Sequence, residues 1–419
     1  MRRVIVIGAG VAGVTAAYEL ARRGYPTSLV EMRPAVALGT SYANGALLTP
    51  SMADPWNAPG VHRHLAASLL GAPSAVTLRR AVVPSLIGFG WRFLRYSTRA
   101  RHTAATQASF LLGRYSLERT RELRTRLALE YDSAAVGSLK VFSTQPAMEG
   151  PLAMANRLSS LGLKFEVLDG DGAVAAEPAL GEIKTQIAGA LRFPDDEIGD
   201  ARLFCEQLLA EFVRLGGVHH TNTEVAGIVA ERGRLSGVRI ANRVKDAEIV
   251  VVAAGNSSVR LVRELGLSLP IRPAKGYTVT FDAAHVEGRP KLPIVHDALH
   301  AAVVPIGNRL RLAGTAEFAG EDLSIPPERI ENLLRLLTTL LPRVARQLPR
   351  AQARSWAGLR PMSADGLPFI GPSHIPGLYI NTGHGHLGWT FAVGSAQLLS
   401  DLIEGKPPQL DPMPYRITR

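Results

Sequence analysis

Apolar runs and helical patterns alternate at the start of the chain. Residues 2–7 form a short β-branched run that predicts a buried strand, and residues 14–23 carry a helical pattern. A second apolar run, residues 28–30, ends at Glu31. The turn between the first strand and the helix holds three glycines at fixed spacing: Gly8, Gly10 and Gly13. Strand, glycine turn, helix, strand and acid in this order predict a dinucleotide-binding βαβ unit.

Each residue of this motif has a physical role. Gly8 permits the tight turn, Gly10 lets the backbone approach a pyrophosphate, and Gly13 lets the helix pack on the strand. The helix N-terminus offers free N–H groups to phosphates. Glu31 is placed to accept ribose hydroxyls, and its charge disfavours a 2′-phosphate. The motif therefore predicts NAD or FAD rather than NADP, and leaves the choice between these two open.

The remaining hydrophobic pattern predicts further helices and many short strands. Helices are predicted over residues 61–70, 84–96, 103–130, 149–161, 201–216, 326–341 and 391–404. Strands are predicted over residues 138–143, 164–168, 187–193, 217–220, 224–231, 235–240, 246–253, 269–281, 292–312 and 378–381. Asp200 is the expected cap of one helix, and Gly255 follows a fully apolar strand and leaves room for the adenosine side of a cofactor.

This interleaving predicts an α/β fold with two discontinuous domains. A Rossmann-like cofactor domain is expected from residues 1–60, 200–268 and 355–419. The expected second domain, for substrate, comprises residues 61–199 and 269–354 and is built on a mixed or antiparallel sheet plus helices.

The positive charge of the chain is concentrated in one segment. The 419-residue chain has a net charge of +11, and residues 79–126 hold eleven arginines against two glutamates. Trp91, Phe93, Leu94 and Tyr96 lie between these arginines. Two interpretations stay open: a pair of solvated helices over the active site, or a surface that docks on anionic lipid or an acidic partner. A nucleic acid partner is not expected, because no recognition motif accompanies the charge.

Composition restricts the location and the metal chemistry. Cys205 is the one cysteine, which excludes an intramolecular disulfide and a cysteine-based metal site and fits a reducing compartment. No metal site is expected. The basic, apolar start resembles a signal peptide, but the glycine motif interrupts it. No run of 18 apolar residues predicts a membrane-spanning helix. We expect a cytoplasmic protein, with peripheral contact on the inner face of the cell membrane as an open alternative.

Several separate motifs together resemble one family. They are the N-terminal glycine motif and residues 40–44 (TSYAN), 194–200 (PDDEIGD), 275–277 (KGY), 358–362 (GLRPM) and 383–390 (GHGHLGWT). In this order, over nearly the whole chain, they resemble the FAD-dependent amino-acid dehydrogenases of the D-amino acid oxidase group, in particular the small-subunit type that acts on D-amino acids. The chain departs from that pattern at His386, where a threonine is expected.

The resemblance implies FAD as the cofactor and an amino acid as the substrate. A hydride would pass from Cα to flavin N5, the imine would hydrolyse to a 2-oxo acid and ammonia, and a quinone or another acceptor would take the electrons. Three alternatives stay open: a subunit of a heteromeric dehydrogenase for glycine, proline or hydroxyproline-like substrates, an oxygen-using oxidase, and a non-catalytic nucleotide-binding protein whose arginine segment is its function.

The motifs also supply candidate site residues. Arg360 is the candidate that binds the substrate carboxylate, because its planar fork suits a carboxylate. Tyr277 is expected to add a hydroxyl to the same group, and His386 to line the flavin rather than to transfer a proton. The final helix, expected near Thr390, would stabilise negative charge on the reduced flavin. The full set of predicted cofactor contacts is Gly8, Gly10, Val11, Ala12, Gly13, Glu31, Met32, Arg33, Thr40, Ser41, Asn44, Gly45, Val225, Ala254, Gly255, Gly358, Arg360, Gly383, His384, Gly385, His386, Leu387, Gly388, Trp389 and Thr390.

Overall fold

The computed structural model describes residues 1–63, 76–296, 299 and 301–419. Most of the helix predicted over residues 61–70 lies outside these residues. The described helices are α1 (Val11–Arg22), α2 (Val83–Arg95), α3 (Arg99–Leu127), α4 (Gln145–Ser159), α5 (Gly170–Ala176), α6 (Ala201–Arg214), α7 (Ser258–Arg263), α8 (Pro327–Leu340), α9 (Pro342–Ala345) and α10 (Gly388–Glu404). The described strands are β1 (Val4–Ile7), β2 (Thr27–Val30), β3 (Leu47–Leu48), β4 (Val76–Leu78), β5 (Ser138–Phe142), β6 (Glu166–Leu168), β7 (Gly189–Phe193), β8 (Glu197–Ile198), β9 (Val218–His220), β10 (Val225–Glu231), β11 (Arg234–Ile240), β12 (Arg243–Asp246), β13 (Ile249–Val252), β14 (Ile271–Asp282), β15 (Ile294–His296), β16 (Ala301–Ile306), β17 (Arg309–Phe318), β18 (Arg354–Ser363), β19 (Phe369–Pro372) and β20 (Leu378–Thr382).

The first sheet has the order β19-β20-β13-β1-β2-β9 and is parallel except at β19. The central strand β1 is apolar at every position, because other elements cover both faces of the sheet there. Val4 and Val6 join a core with the helices α1, α3, α6 and α10, whereas Ile5 and Ile7 face a second core that includes the β10–β12 sheet. This is the cofactor sheet that the N-terminal motif predicts.

The second sheet is larger and mixed. Its order is β18-β14-β17-β16-β15-β5-β7-β6, with β4 paired to β17. Most neighbours are antiparallel, and β15–β5 and β17–β4 are parallel. Helix α8 packs its leucines on one face of this sheet. The predicted fold class, a Rossmann-like domain with a second mixed-sheet domain, is confirmed.

Two segments pack in a different domain from the one to which the predicted boundaries assign them. Strand β18 falls in the range 355–419 expected for the cofactor domain, but it pairs along ten residues with β14 of the second sheet. Helix α3 falls in the range expected for the substrate domain, but its buried face packs in the core of the cofactor domain, through Leu112 and Leu117. The boundary predictions are wrong for these segments, because an apolar pattern does not reveal which core a strand or helix joins.

Helix α2 lies within the basic segment, residues 79–126, and packs against the second sheet. Its inner face packs into a small cluster, which we call the α2 cluster. The α2 cluster includes Phe89, Phe93, Phe318 and Met362, with Trp56 at its border. Phe89 stacks on Phe93 with ring centroids 5.9 Å apart. Helix α2 therefore has a buried aromatic face and an outer face open to solvent.

Candidate active site

A cavity of 1830 Å³ extends from the glycine motif to the second sheet. Most predicted site residues line it: Gly8, Gly10, Val11, Ala12, Glu31, Met32, Arg33, Thr40, Ser41, Asn44, Gly45, Val225, Ala254, Gly255, Gly358, Arg360, His384, Gly385, His386, Leu387, Gly388 and Trp389. Four do not line it: Gly13, Tyr277, Gly383 and Thr390. The topology therefore brings together residues that are more than 300 positions apart in sequence.

The glycine motif forms the end of the cavity that suits a pyrophosphate. Gly8 has a φ of +97°, and a methyl group there would lie 2.7 Å from the Ala253 carbonyl oxygen. A methyl group on Gly13 would lie 1.7 Å from the Gly8 carbonyl oxygen, so Gly13 serves close packing of α1 rather than ligand contact. Gly10 caps α1, and the hydroxyl of Ser41 accepts from the Val11 N–H at 3.1 Å.

Glu31 faces the cavity at the tip of β2 with both carboxylate oxygens already in use. Oε2 accepts the Ala9 N–H at 2.7 Å and Oε1 accepts the Arg33 N–H at 3.0 Å. Each oxygen keeps a second lone pair, so the carboxylate is both fixed by the backbone and able to accept ribose hydroxyls. The predicted role of Glu31 in cofactor binding stays a prediction.

Two asparagines with buried Oδ1 atoms, which the sequence reasoning missed, also line the cavity. Asn256 donates to the Leu359 carbonyl at 3.0 Å, and Asn381 donates to the Ala12 carbonyl at 3.3 Å. The Oδ1 atom of each has no hydrogen-bond partner. Buried polar atoms are normally paired, so these two oxygens fit a polar ligand. Both residues stand at the carboxyl ends of parallel strands, the edge where open α/β sheets bind ligands, and this signal could have found them.

Arg360 lies at the other end of the cavity, on β18. Its Nη1 donates to the Thr315 carbonyl at 3.3 Å, and its guanidinium carbon lies 5.5 Å from the centre of the Trp56 ring. A methyl group on Gly276 of β14 would lie 2.4 Å from Nη2, so the guanidinium can keep this position only beside a glycine. Burial lowers the pKa of Arg360 to about 10, which leaves it charged at neutral pH.

Among the ion pairs of the described residues, none involves Arg360. The side chain is half-buried, with the rest open to the cavity. A guanidinium with five donors and one hydrogen bond to protein is suited to a bidentate anion. The predicted carboxylate-binding role of Arg360 is therefore compatible with its surroundings.

The two histidines near the end of the chain are neutral wall residues. His384 Nε2 is 3.1 Å from the Ser395 hydroxyl, and His386 Nε2 donates to the Met52 carbonyl at 3.3 Å. Burial lowers the pKa of each to about 4, and for His386 the positive charge of Arg360 adds to this. His386 stacks on Trp56 with ring centroids 5.4 Å apart.

The prediction that Tyr277 contacts the substrate is wrong. Neighbouring residues of a strand face opposite sides, and Gly276 and Thr278 line the cavity. Tyr277 therefore points into the core on the other side of β14, where it is fully buried and donates to Glu317. Burial and the Glu317 charge raise its pKa.

Two other predicted contacts are also displaced from the cavity. Thr390 is buried, and its hydroxyl accepts the Thr49 N–H at 3.1 Å, because α10 begins two residues earlier, at Gly388. Gly383 has a φ of +79° and packs against Phe369. The N-terminus of α10 still faces the cavity through Leu387 and Gly388.

Metal chemistry has no support in the described part of the chain, which holds no cluster of three or more possible metal ligands. Cys205 is fully buried in α6, and burial raises the pKa of its thiol.

The Rossmann-like domain, the unpaired amides and the second sheet over one cavity define a dinucleotide-dependent oxidoreductase. A family model described as FAD dependent oxidoreductase matches residues 3–402, and the chain belongs to that family. It is 37% identical to a D-amino acid dehydrogenase of Bradyrhizobium diazoefficiens, over 98% of this chain and 96% of that protein. It is 38% identical to one of Cereibacter sphaeroides, over 100% and 95%.

Solved structures share the fold over the whole chain. L-proline dehydrogenase from P. horikoshii has a TM-score of 0.80 at 18% identity, covering 100% of this chain and 97% of that one. Glycine oxidase from Geobacillus kaustophilus has a TM-score of 0.76 at 25% identity, covering 100% and 99%. The cofactor is FAD, which resolves the choice that the glycine motif left open.

Proposed function

We propose that the protein oxidises D-amino acids at Cα and passes the electrons to an acceptor other than oxygen, as a dehydrogenase. Bound FAD supplies the hydride acceptor, and the released imine hydrolyses to a 2-oxo acid and ammonia. The observation that carries the proposal is the charged Arg360, which faces the cavity without a carboxylate partner among the described ion pairs. The names of the relatives with 37–38% identity support the D-amino acid as substrate.

Arg360 fixes the orientation of the substrate. A bidentate pair between its guanidinium and the substrate carboxylate restrains both the position and the rotation of Cα. Gly276 below the guanidinium and Trp56 beside it limit the directions in which the side chain can turn. Orientation of this kind supplies several kcal/mol of the catalytic effect.

The two histidines of the site add no charge at neutral pH. His384 and His386 are neutral above about pH 5, because burial lowers the pKa of each to about 4. A neutral His386 does not repel Arg360. A substrate that enters with a neutral amine needs no protein base, so neither histidine has to move a proton.

The residues that would hold FAD are those at the glycine end of the cavity. The N–H groups at the start of α1 suit the pyrophosphate, and Glu31 suits the ribose. The unpaired Oδ1 atoms of Asn256 and Asn381 suit hydrogen-bond donors of the cofactor. The N-terminus of α10 offers a positive dipole end to negative charge near the ring system.

The deciding experiment is anaerobic flavin reduction. Purified yellow protein is mixed with D- and L-amino acids, glycine and proline, one at a time, and the flavin absorbance is followed. We expect D-isomers to bleach the flavin fastest. Bleaching only by glycine or proline would instead favour the heteromeric type of dehydrogenase, and bleaching only by L-isomers would refute the proposed chirality.

Oxygen use separates a dehydrogenase from an oxidase. We expect substrate loss with an added quinone analogue to exceed hydrogen peroxide formation in air. Peroxide formed in step with substrate loss would make the protein an oxidase, and the acceptor part of the proposal would fail.

We further propose that the outer face of α2 contacts an anionic membrane, where a quinone is available. Ile87, Trp91 and Leu94 are 69%, 73% and 40% exposed, and their helical spacing puts them on one side of α2. Arg92 and Arg95 are exposed beside them. Exposed apolar residues flanked by arginines are typical of a helix that lies in a membrane interface. No helix of the described residues is long and apolar enough to span a bilayer.

Vesicle binding tests this surface. Replacing Arg92 and Arg95 with glutamine should weaken binding to vesicles with anionic lipid by about 2 kcal/mol, roughly 30-fold, at low salt. Trp91→Ser should weaken it further, whereas Val244→Ser, at a 48% exposed valine on β12, is the matched control and should have no effect. Equal binding by all variants, or no binding by the parent, would leave α2 as a solvated helix.

A further inference from the structure

A buried charged cluster lies behind Arg360, on the side of the second sheet that helix α8 covers. Its centre is Glu317 of β17, which is 2% exposed. Arg79 donates to Oε1 from Nε at 2.6 Å, and the Tyr277 hydroxyl donates to Oε2. Arg329 is 3.7 Å from Oε1 and Lys275 is 3.9 Å from Oε2. Burial raises the pKa of Glu317, but the hydrogen bonds and positive charges lower it further, so the carboxylate is ionised.

The cluster ties several segments to β17. Lys275 is fully buried on β14 and donates to Asp322 at 3.2 Å and to the Ser324 carbonyl at 3.0 Å. Arg79 reaches Asp322 at 2.6 Å. We call Glu317, Arg79, Tyr277, Lys275, Arg329 and Asp322 the Glu317 cluster. Of these residues, Arg329 lines the cavity and the other five do not. Neither carboxylate binding by Arg360 nor cofactor binding uses the cluster.

A strand irregularity lies between the Glu317 cluster and Arg360. Tyr277 of β14 pairs with Gly314 of β17, and Lys275 pairs with Glu317. Between these two pairs β14 spans two residues and β17 spans three, so β17 contains one extra residue. The extra residue is accommodated at Thr315, whose φ is +61°. This left-handed conformation is unfavourable for a β-branched residue and persists only where the surroundings impose it. The Thr315 carbonyl is the group that accepts from Arg360.

We propose that Glu317 is a positioning residue, which holds the strained bulge at Thr315 so that the Thr315 carbonyl aims the Arg360 guanidinium at the substrate carboxylate. The cluster anchors β17 directly after the bulge, and the pairing of Gly314 with β14 and β16 anchors it before the bulge. Among the described residues, the guanidinium of Arg360 donates to one protein group, the Thr315 carbonyl, so its direction depends on that carbonyl. The inference rests on the proposed role of Arg360 in carboxylate binding.

The test is a double-mutant cycle on the FAD-loaded enzyme. Glu317→Gln keeps the shape of the side chain and removes the charge that holds the arginines. We expect it to raise the substrate Kd in anaerobic flavin reduction by about 10-fold, because a displacement of less than 1 Å at a positioning group is costly. The limiting rate of reduction should change less than Kd.

Thr315→Gly supplies the second arm of the cycle. Glycine adopts a φ near +60° without strain, so the bulge no longer needs an anchor. We therefore expect Glu317→Gln to cost less than about twofold in Kd when it is introduced into the Thr315→Gly variant. A merely structural Glu317 would instead cost the same factor in both backgrounds, and that result would overturn the inference.

Two further variants keep the result interpretable. If Glu317→Gln does not fold, Tyr277→Phe removes one hydrogen bond to the same carboxylate, and the same rescue by Thr315→Gly is expected on a loss of about threefold. Arg360→Lys reports on the proposed function independently. If the Arg360→Lys enzyme binds substrate with the Kd of the parent, both the carboxylate role of Arg360 and this inference are refuted. If Arg360→Lys weakens substrate binding but Thr315→Gly does not reduce the effect of Glu317→Gln, this inference alone is refuted.

Discussion

Replacing Gly276 with alanine tests the site with one methyl group. The added carbon would lie 2.4 Å from Nη2 and 2.6 Å from the guanidinium carbon of Arg360. An ordinary contact needs about 3.5 Å. Gly276 is not among the residues with positive φ, so alanine is compatible with the backbone. The guanidinium is the flexible end of a long side chain, and we expect it to retreat by about 1 Å while the strand stays in place.

The size of the effect follows from that displacement. A 1 Å misplacement of an orienting group costs about 100-fold in rate, or roughly 2.7 kcal/mol in kcat/KM. The assay is steady-state oxidation of a D-amino acid with an artificial acceptor, together with the FAD content of the purified protein. FAD content should stay at the level of the parent, because the glycine motif is at the other end of the cavity.

A matched strand glycine provides the control. Gly227 of β10 also lacks a positive φ, and a methyl group there meets no atom closer than 4.0 Å. Gly227→Ala should retain full kcat/KM. A Gly276→Ala enzyme with full FAD and kcat/KM within about twofold of the parent would show that the position of the Arg360 guanidinium does not set the rate, and the assigned role of Arg360 would have to be abandoned.

Three other predictions address the rest of the site. Arg360→Ala should lower kcat/KM by about 2–5 kcal/mol, and an unchanged value would exclude Arg360 from the substrate site. Glu31→Gln turns one acceptor oxygen into an N–H donor that faces a backbone N–H, so FAD should dissociate more readily, by about 1–3 kcal/mol in measured affinity; unchanged affinity would refute the cofactor role of Glu31. His384 has a folded pKa of about 4, below its unfolded value near 6.5, so its contribution to stability is complete above pH 6.5 and is lost as the pH falls toward 4. The unfolding free energy of His384→Asn should therefore fall less between pH 7 and pH 4.5 than that of the parent, by up to roughly 3 kcal/mol; parallel pH profiles would contradict the lowered pKa.

The parts of the fold that were predicted correctly are encoded by local spacing. The glycines at positions 8, 10 and 13 require a particular turn and a close helix, and the structure has both. Asp200 precedes a helix, and its side chain accepts the N–H groups of Arg202 and Leu203 as a cap does. Such features depend on a few neighbouring residues and can be inferred without tertiary information.

The wrong predictions depend on distant partners. The motif around Tyr277 is correctly placed on a strand, but the side that faces the cavity is set by the pairing of Gly276 with Gly358 and by the Arg360 guanidinium above it. The range 292–312, which the apolar pattern assigns to strand, contains β15, β16 and part of β17, because only a few polar residues separate the apolar runs in the sequence. Thr315 gave no local signal, since its left-handed conformation arises from the pairing of β17 with β14.

The α2 cluster has a thermodynamic consequence. Phe89 and Phe93 on the inner face of α2 share this cluster with Met362 and with Trp56, which also borders Arg360 and His386. A close-packed cluster transmits displacement rather than absorbing it. If docking of α2 on a surface shifts the cluster, the change in substrate affinity must equal the change that bound substrate makes in affinity for the surface. The helix that faces solvent and the pocket that faces the flavin are then two binding sites of one linked equilibrium.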